Sequence, residues 1–157
     1  MKVREVMNNR VARVRARADL YQAAEAVSLA NVSDLMVVDE RGDFIGVLPA
    51  GDILRACLPK VEDIIAEGGS IQQAFSLFLK TGRELSRMPI MPLVIREPLS
   101  LDPDDHVAKV AATLVQTNIH MLPVVKDRKL LGVVTRVAIL EKVVGLLHSA
   151  VDEVQEP

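Results

Sequence analysis

Few side chains in this sequence are placed to do chemistry. A lone carboxylate, Asp52, sits in the phrase GVLPAGDIL (Gly46–Leu54), where an apolar strand-like run passes into a helix start beside Pro49 and Gly51. Carboxylates are favoured at helix N-termini, where free N–H groups attract negative charge. Asp52 is therefore either a cap or an acceptor for an outside donor. A near copy, GVVTRVAIL (Gly132–Leu140), carries Ala138 in place of the aspartate but keeps a hydroxyl, Thr135, followed by a cation, Arg136. Thr135 suits an N-cap. Arg136 opposes the dipole of the helix it starts, which hints at an anionic partner. His120 stands just before an apolar strand-like run. The three histidines, His106, His120 and His148, are far apart and lack ligand spacing, so no metal site is expected. Asp104-Asp105 reads as a helix N-terminus, not a catalytic dyad. No G-x-S-x-G, P-loop or Rossmann phrase occurs, and no nucleophile has a base at motif spacing, so the chain is not expected to be an enzyme.

The elements that carry these residues come in duplicate. VSDLMVVDERGDFIGVLPAGDIL, from Val32, aligns with IHMLPVVKDRKLLGVVTRVAIL, from Ile119, with one residue lost in the turn. Upstream, Leu20, Ala24, Val27 and Asn31 fall on Val107, Ala111, Leu114 and Asn118, and Val11 and Val14 fall on Pro98 and Leu101. Each copy predicts a short strand (Val11 to Val14; Pro98 to Leu101), a helix, a hairpin and a closing helix from about Ala50 or Arg136. Asp19 with Gln22 predicts a capping box, and Asp102-Pro103 predicts the opening of the other first helix. A copy of about 50 residues is too small to bury a convincing core alone, so the two are expected to pack as a pseudo-two-fold pair.

The reading divides the chain into repeat 1 (1–59), a helical insert (60–91), repeat 2 (92–150) and an acidic tail (151–157) expected to fray. In the insert, VEDIIAEGG predicts a short helix closed by Gly68-Gly69, and Ser70 caps a second. Ile71, Phe75, Phe78 and Leu79 share one face of that second helix, either packed on its own domain or open to a partner.

Composition narrows the class. The 157 residues are 50% hydrophobic and 25% charged, a globular profile. A net charge of −2 gives no basic field for a phosphate backbone, and Trp is absent, so a nucleic-acid partner is not expected. Cys57 is the sole cysteine and forms no internal disulfide; it reads as a small buried hydrophobe in a reducing compartment. No secretory leader or membrane-length apolar run occurs, so a cytoplasmic protein with no membrane partner is expected.

The phrases VREVM, LMVVDERGDFIGVLPAGDIL, PLSLDPDDHVAKVA and IHMLPVVKDRKLLGVVT, in this order and duplicated, resemble a tandem pair of cystathionine-β-synthase (CBS) domains, the Bateman module. The resemblance implies a mixed α/β fold of two βαββα repeats with the helical insert between them. It also implies a homodimer, and regulation of an effector protein not named by the sequence. No cofactor is required. An adenosyl ligand (AMP, ADP, ATP or S-adenosylmethionine) is expected in the inter-repeat cleft. The family's nucleotide phrase places a hydroxyl three residues, and an aspartate six residues, after a glycine. The first copy keeps Gly46 and Asp52 but has Pro49; the second keeps Gly132 and Thr135 but has Ala138. Neither phrase is complete. The resemblance therefore implies one functional site, drawing on Val47, Asp52, Pro98, Leu99, Ile119, His120, Thr135 and Arg136. Asp52 would hold the ribose, the apolar residues the base, and His120, Thr135 and Arg136 the phosphates. The mirror cleft, with Val11, Ser33 and Ala138, would lack both the carboxylate and the basic residue.

Overall fold

A computed structural model describes residues 1–58 and 60–155, with side-chain environments through Val151. The residues fall into two compact units. One comprises Ala12–Arg41 and Ile45–Pro98; the other comprises Met1–Val11, Gly42–Phe44 and Leu99–Pro157.

In the first-repeat unit, β1 (Arg13–Arg15) runs parallel to β2 (Asp34–Val38), with Val14 opposite Val37. β3 (Phe44–Pro49) follows, and β4 (Ile95–Arg96) closes the sheet antiparallel to it, with Val47 opposite Ile95. α1 (Leu20–Ala30) starts in the capping box read from the sequence. Asp19 Oδ1 accepts from Gln22 N at 2.8 Å, and Gln22 Oε1 accepts from Asp19 N at 3.0 Å. α2 (Ala50–Cys57) follows β3 directly. The core gathers Leu20, Ala23, Leu35, Val37, Leu48, Ile53, Cys57 and Ile90.

The insert forms α3 (Val61–Ala66) and α4 (Ile71–Leu85). Gly68, at φ +87°, ends the first, and Ser70 Oγ accepts from Gln73 N at 3.2 Å to start the second. α4 buries Ala74 and packs Phe78 and Leu85 against the core. A Cβ on Gly82 would lie 4.0 Å from Cys57 Sγ, so small residues bring α4 close to α2. The face read as apolar is thereby divided: Phe78 turns inward, while Ile71, Phe75 and Leu79 are each at least half exposed. Phe75 and Phe78 stack with ring centroids 6.3 Å apart. Phe78→Ala is expected to lower the unfolding free energy by about 2 kcal/mol, and Phe75→Asp to change it by less than about 0.5 kcal/mol. Urea unfolding distinguishes the two.

In the second-repeat unit, β5 (Met121–Lys126) and β6 (Lys129–Thr135) form the hairpin, with a register shift between Val124 and Val125. α5 (Val107–Gln116) and α6 (Arg136–Gln155) flank it. The core gathers Val3, Val6, Leu101, Val107, Val110, Leu114, Leu122, Val124, Val134 and Ile139.

Three expectations need correction. The strand expected at Pro98 to Leu101 shrinks to one parallel bridge, Leu101 with Val124, at the position where Val14 meets Val37. Asp102-Pro103 does not open α5. Asp102 Oδ1 accepts from Asp104 N, and Asp105 Oδ2 from Asp102 N, which holds these residues in a turn. The helix waits for His106, whose Nδ1 accepts from Ala108 N at 3.2 Å. The segment expected to fray after 150 continues as α6 to Gln155; 156–157 lie outside the described residues.

Each repeat is closed by the segment that precedes the other. Met1–Val11 belongs to the second-repeat unit, and the segment leading into repeat 2 belongs to the first-repeat unit. Val3 and Ile90 are equivalent in the duplication, and both are fully buried. Val3 N donates to Asp105 O at 2.9 Å, and Ile90 N to Ala18 O at 3.2 Å. Asn8 bridges Val133 as Ile95 pairs with Val47. The lead-ins cover what would otherwise be open sheet edges on β3 and β6.

Acid should loosen the first of these lead-ins. Arg4 donates to Asp104 Oδ1 at 2.6 Å, Lys2 donates to the same atom at 3.3 Å, and together they hold the carboxyl below its usual range. A depressed folded pKa stabilises above the unfolded pKa and is lost as pH falls through the folded value. These side chains are about half exposed, so the effect is local. Below the ordinary aspartate range, the Val6 and Met7 amides should lose hydrogen-exchange protection ahead of the β5–β6 hairpin. Asp104→Asn should remove that pH dependence; uniform loss across the unit in both proteins would contradict it.

Candidate ligand site

The sequence-derived residues fall on both units. In the first-repeat unit, Gly46 leads into Val47, which is buried in β3. Gly46 has a structural cause: a Cβ there would collide with the Ile95 carbonyl oxygen of the lead-in strand. Pro49 is the N-cap of α2 and makes no side-chain capping bond. The helix start is held instead by Ala50 N donating to Ser33 O at 2.8 Å. Asp52 lies in the first turn and is only partly exposed. It does not cap: its Oδ1 accepts from Arg55 Nη1 one turn on. Arg55 is 73% exposed, so this pair is weak and readily displaced. Pro98 is half-buried at the end of the same unit.

In the second-repeat unit, the hairpin register brings several candidates to one end. Met121 pairs with Thr135, so His120 and Arg136 are the next residues out on either side. His120 is exposed, Ile119 packs against the core, and Leu99 is 49% exposed. Thr135 is a cap, its Oγ1 accepting from Ala138 N at 3.1 Å. Arg136 is not a free surface cation. Its Nη2 donates to Leu114 O at 2.7 Å and to Asn118 Oδ1 at 3.4 Å, tying the end of α5 to the start of α6. Its Nε is buried without a partner. Beside it, Ala111, Leu114, Val115, Ile139 and Leu140 line an apolar cavity of about 200 Å³.

A cationic feature escaped the sequence reading. Arg13, Arg15 and Arg17 line an open cavity of about 350 Å³ with Val14, Ala18 and Gln22. Glu40 pairs with Arg15 at 3.3 Å and with Arg17 at 3.2 Å, offsetting one of the three positive charges. The alternation in RVRAR was the available signal: on a strand, alternate residues share a face. Among the described residues, no cluster of His, Cys, Asp and Glu is arranged to hold a metal, and no helix is long and apolar enough to cross a membrane.

Duplicated βαββα bodies, each closed by a lead-in, define a pair of CBS repeats. The chain belongs to the CBS domain family, whose model matches residues 3–59 and 92–145. It is 27% identical to the uncharacterized protein MJ1404 of Methanocaldococcus jannaschii over 98% of its own length. The chain spans between a third and two-fifths of the length of the curated relatives it matches. Among solved structures it is similar to the CBS-pair protein CBSX2 from Arabidopsis thaliana, with a TM-score of 0.77 and 23% identity, over 94% of this chain and 96% of that one. CBSX2 has also been solved in complex with AMP. The CBS domain pair of MJ0100 is similar at a TM-score of 0.62 and 21% identity, over 90% of this chain and 98% of that one; it was solved with 5′-methylthioadenosine and S-adenosyl-L-methionine.

Proposed function

We propose that this chain is a regulatory, non-catalytic CBS pair that binds an adenosyl ligand and relays the bound state to an effector protein. The observation that carries this is Asp52. It is a partly exposed carboxylate in the first turn of α2, not spent on capping and held only by an exposed arginine. Such a group can accept both hydroxyls of a ribose. The ligands bound by CBSX2 and MJ0100 support the adenosyl class. Val47 and Pro98 from the first-repeat unit would join Leu99, Ile119 and His120 from the second in holding the base and phosphate. Thr135 and Arg136 already serve α6, so they contribute chiefly through the helix N-terminus they set. Calorimetric titration with AMP, ADP, ATP, S-adenosylmethionine and cyclic dinucleotides tests the reading. Saturable binding of at least one adenosyl ligand is expected, and silence across the panel overturns it.

The exposed Ile71, Phe75 and Leu79 face of α4 favours a second reading, a ligand-free protein-interaction module. Under it, Phe75→Asp would alter partner capture or sedimentation while the titrations stay flat.

A further inference from the structure

We propose that the outer edge of β1 docks an acidic peptide segment of another protein, which adds to the sheet as an antiparallel strand and sets alternate carboxylates against Arg13 and Arg15. β1 is the end strand of its four-stranded sheet. Its ladder to β2 runs through Ala12, Val14 and Ala16: Met36 N donates to Ala12 O at 3.2 Å, and Ala16 N donates to Val38 O at 2.8 Å. In a parallel pair, alternate residues turn their amides to opposite sides, so those of Arg13 and Arg15 point away from β2. Arg15 O is taken by Ala18 N at 2.9 Å. Arg13 N–H, Arg13 C=O and Arg15 N–H are left for a further strand. The cavity of about 350 Å³ marks the same place. Arg13 and Arg15 reach it from one face of β1, and Val14, which packs on the core, lines it from the other. A cavity lined by both faces of one strand lies along that strand's edge.

The charge says what fits there. The fold does not ask for arginine at these positions: in the duplication Ser100, Asp102 and Asp104 stand where repeat 1 has Arg13, Arg15 and Arg17. Glu40 matches one of the three guanidinium charges, and Arg13 forms no ion pair among the described residues. The Arg15 and Arg17 side chains are 57% and 75% exposed. Charge on an open edge turns away uncharged strands, and the same charge selects a strand of opposite sign. Arg13 and Arg15 are about 6.6 Å apart along the strand, the repeat of alternate residues in any extended peptide. Side chains directly opposite in an antiparallel pair share a face, so a Glu-x-Glu segment meets both arginines at once. Phosphate groups could use the charge but have no donor for Arg13 C=O, which favours a peptide over a nucleic acid or polyphosphate. None of these residues belongs to the adenosyl set.

Fluorescence anisotropy of a fluorescein-labelled Glu-Val-Glu-Thr-Glu peptide, titrated with the full chain in the absence of nucleotide, should show saturable binding. Arg13→Glu alters an exposed side chain and should leave the circular dichroism spectrum unchanged, while weakening the peptide about tenfold or more. Glu40→Gln should tighten it several-fold by releasing Arg15 and Arg17. N-methylation separates strand pairing from plain charge attraction. Opposite Arg13 and Arg15, the glutamate N–H groups face β1 and those of Val and Thr face away. Methylating the glutamate amides should abolish binding although every charge remains, and methylating the Val and Thr amides should leave it intact. An absence of saturable binding overturns the proposal. So does equal binding of the two methylated peptides, indifference to Arg13→Glu, or a deoxythymidine pentamer or inorganic triphosphate that binds as tightly as the peptide.

Discussion

Gly46→Ala is expected to destabilise the first-repeat unit by about 3 kcal/mol, among the largest effects of any single methyl group in this chain. The alanine Cβ would point at the Ile95 carbonyl oxygen and also crowd Val94, a buried core residue. A backbone oxygen in a paired strand cannot swing aside as a side chain does. Either β4 lifts from β3 or the core around Ile90 and Val94 opens. Gly132→Ala poses the same problem more mildly. Its Cβ would lie 2.6 Å from Asn8 O and 3.3 Å from Met7 Sδ, and methionine is adaptable. About 2 kcal/mol is expected there, with faster amide exchange confined first to the Met1–Val11 lead-in. Urea denaturation of the two variants checks the order. Unchanged midpoints would mean that the lead-in strands do not need close approach, and the steric requirement for both glycines would fall.

Those glycines also mark where the sequence stops being legible. The repeats, hairpins, α3, the Asp19 box and the Ser70 cap follow from local patterns, and the structure reproduces them. The exchange of lead-ins does not, because each is a short turn and a one- or two-residue bridge with no periodicity of its own. The signal available was faint: Val3, Val6 and Met7 match Ile90, Leu93 and Val94 as apolar residues at equal spacing. Gly46 and Gly132 read as parts of a nucleotide phrase, yet each also answers to a neighbouring backbone.

The divided face of α4 has a similar cause. Helical periodicity ranks large apolar residues as the buried ones, but close packing against α2 selects Ala74 and Gly82 instead. Arg136 reads as an exposed helix start, and only the fold reveals that Leu114 O and Asn118 lie within reach. Asp52 was legible as a position but not as a state, since capping and pairing with Arg55 look alike in sequence.

That state makes the second large prediction specific. If Asp52 accepts ribose hydroxyls, Asp52→Ala should weaken the tightest adenosyl ligand about thirty- to hundredfold, the 2–3 kcal/mol typical of hydrogen bonds to a charged group. The fold should tolerate the change, because Asp52 makes no capping bond and its partner Arg55 is exposed. Loss of affinity alone would not separate a ribose contact from a general loss of negative charge. A 2′-deoxy ligand does. Wild type should lose affinity for it, while Asp52→Ala should bind the deoxy and ribo forms alike, since the acceptor is already gone. Arg55→Ala should move the other way, raising affinity by releasing Oδ1. If the deoxy penalty persists at full size in Asp52→Ala, another group reads the sugar. The aspartate would then be no more than one member of an exposed ion pair at the start of α2.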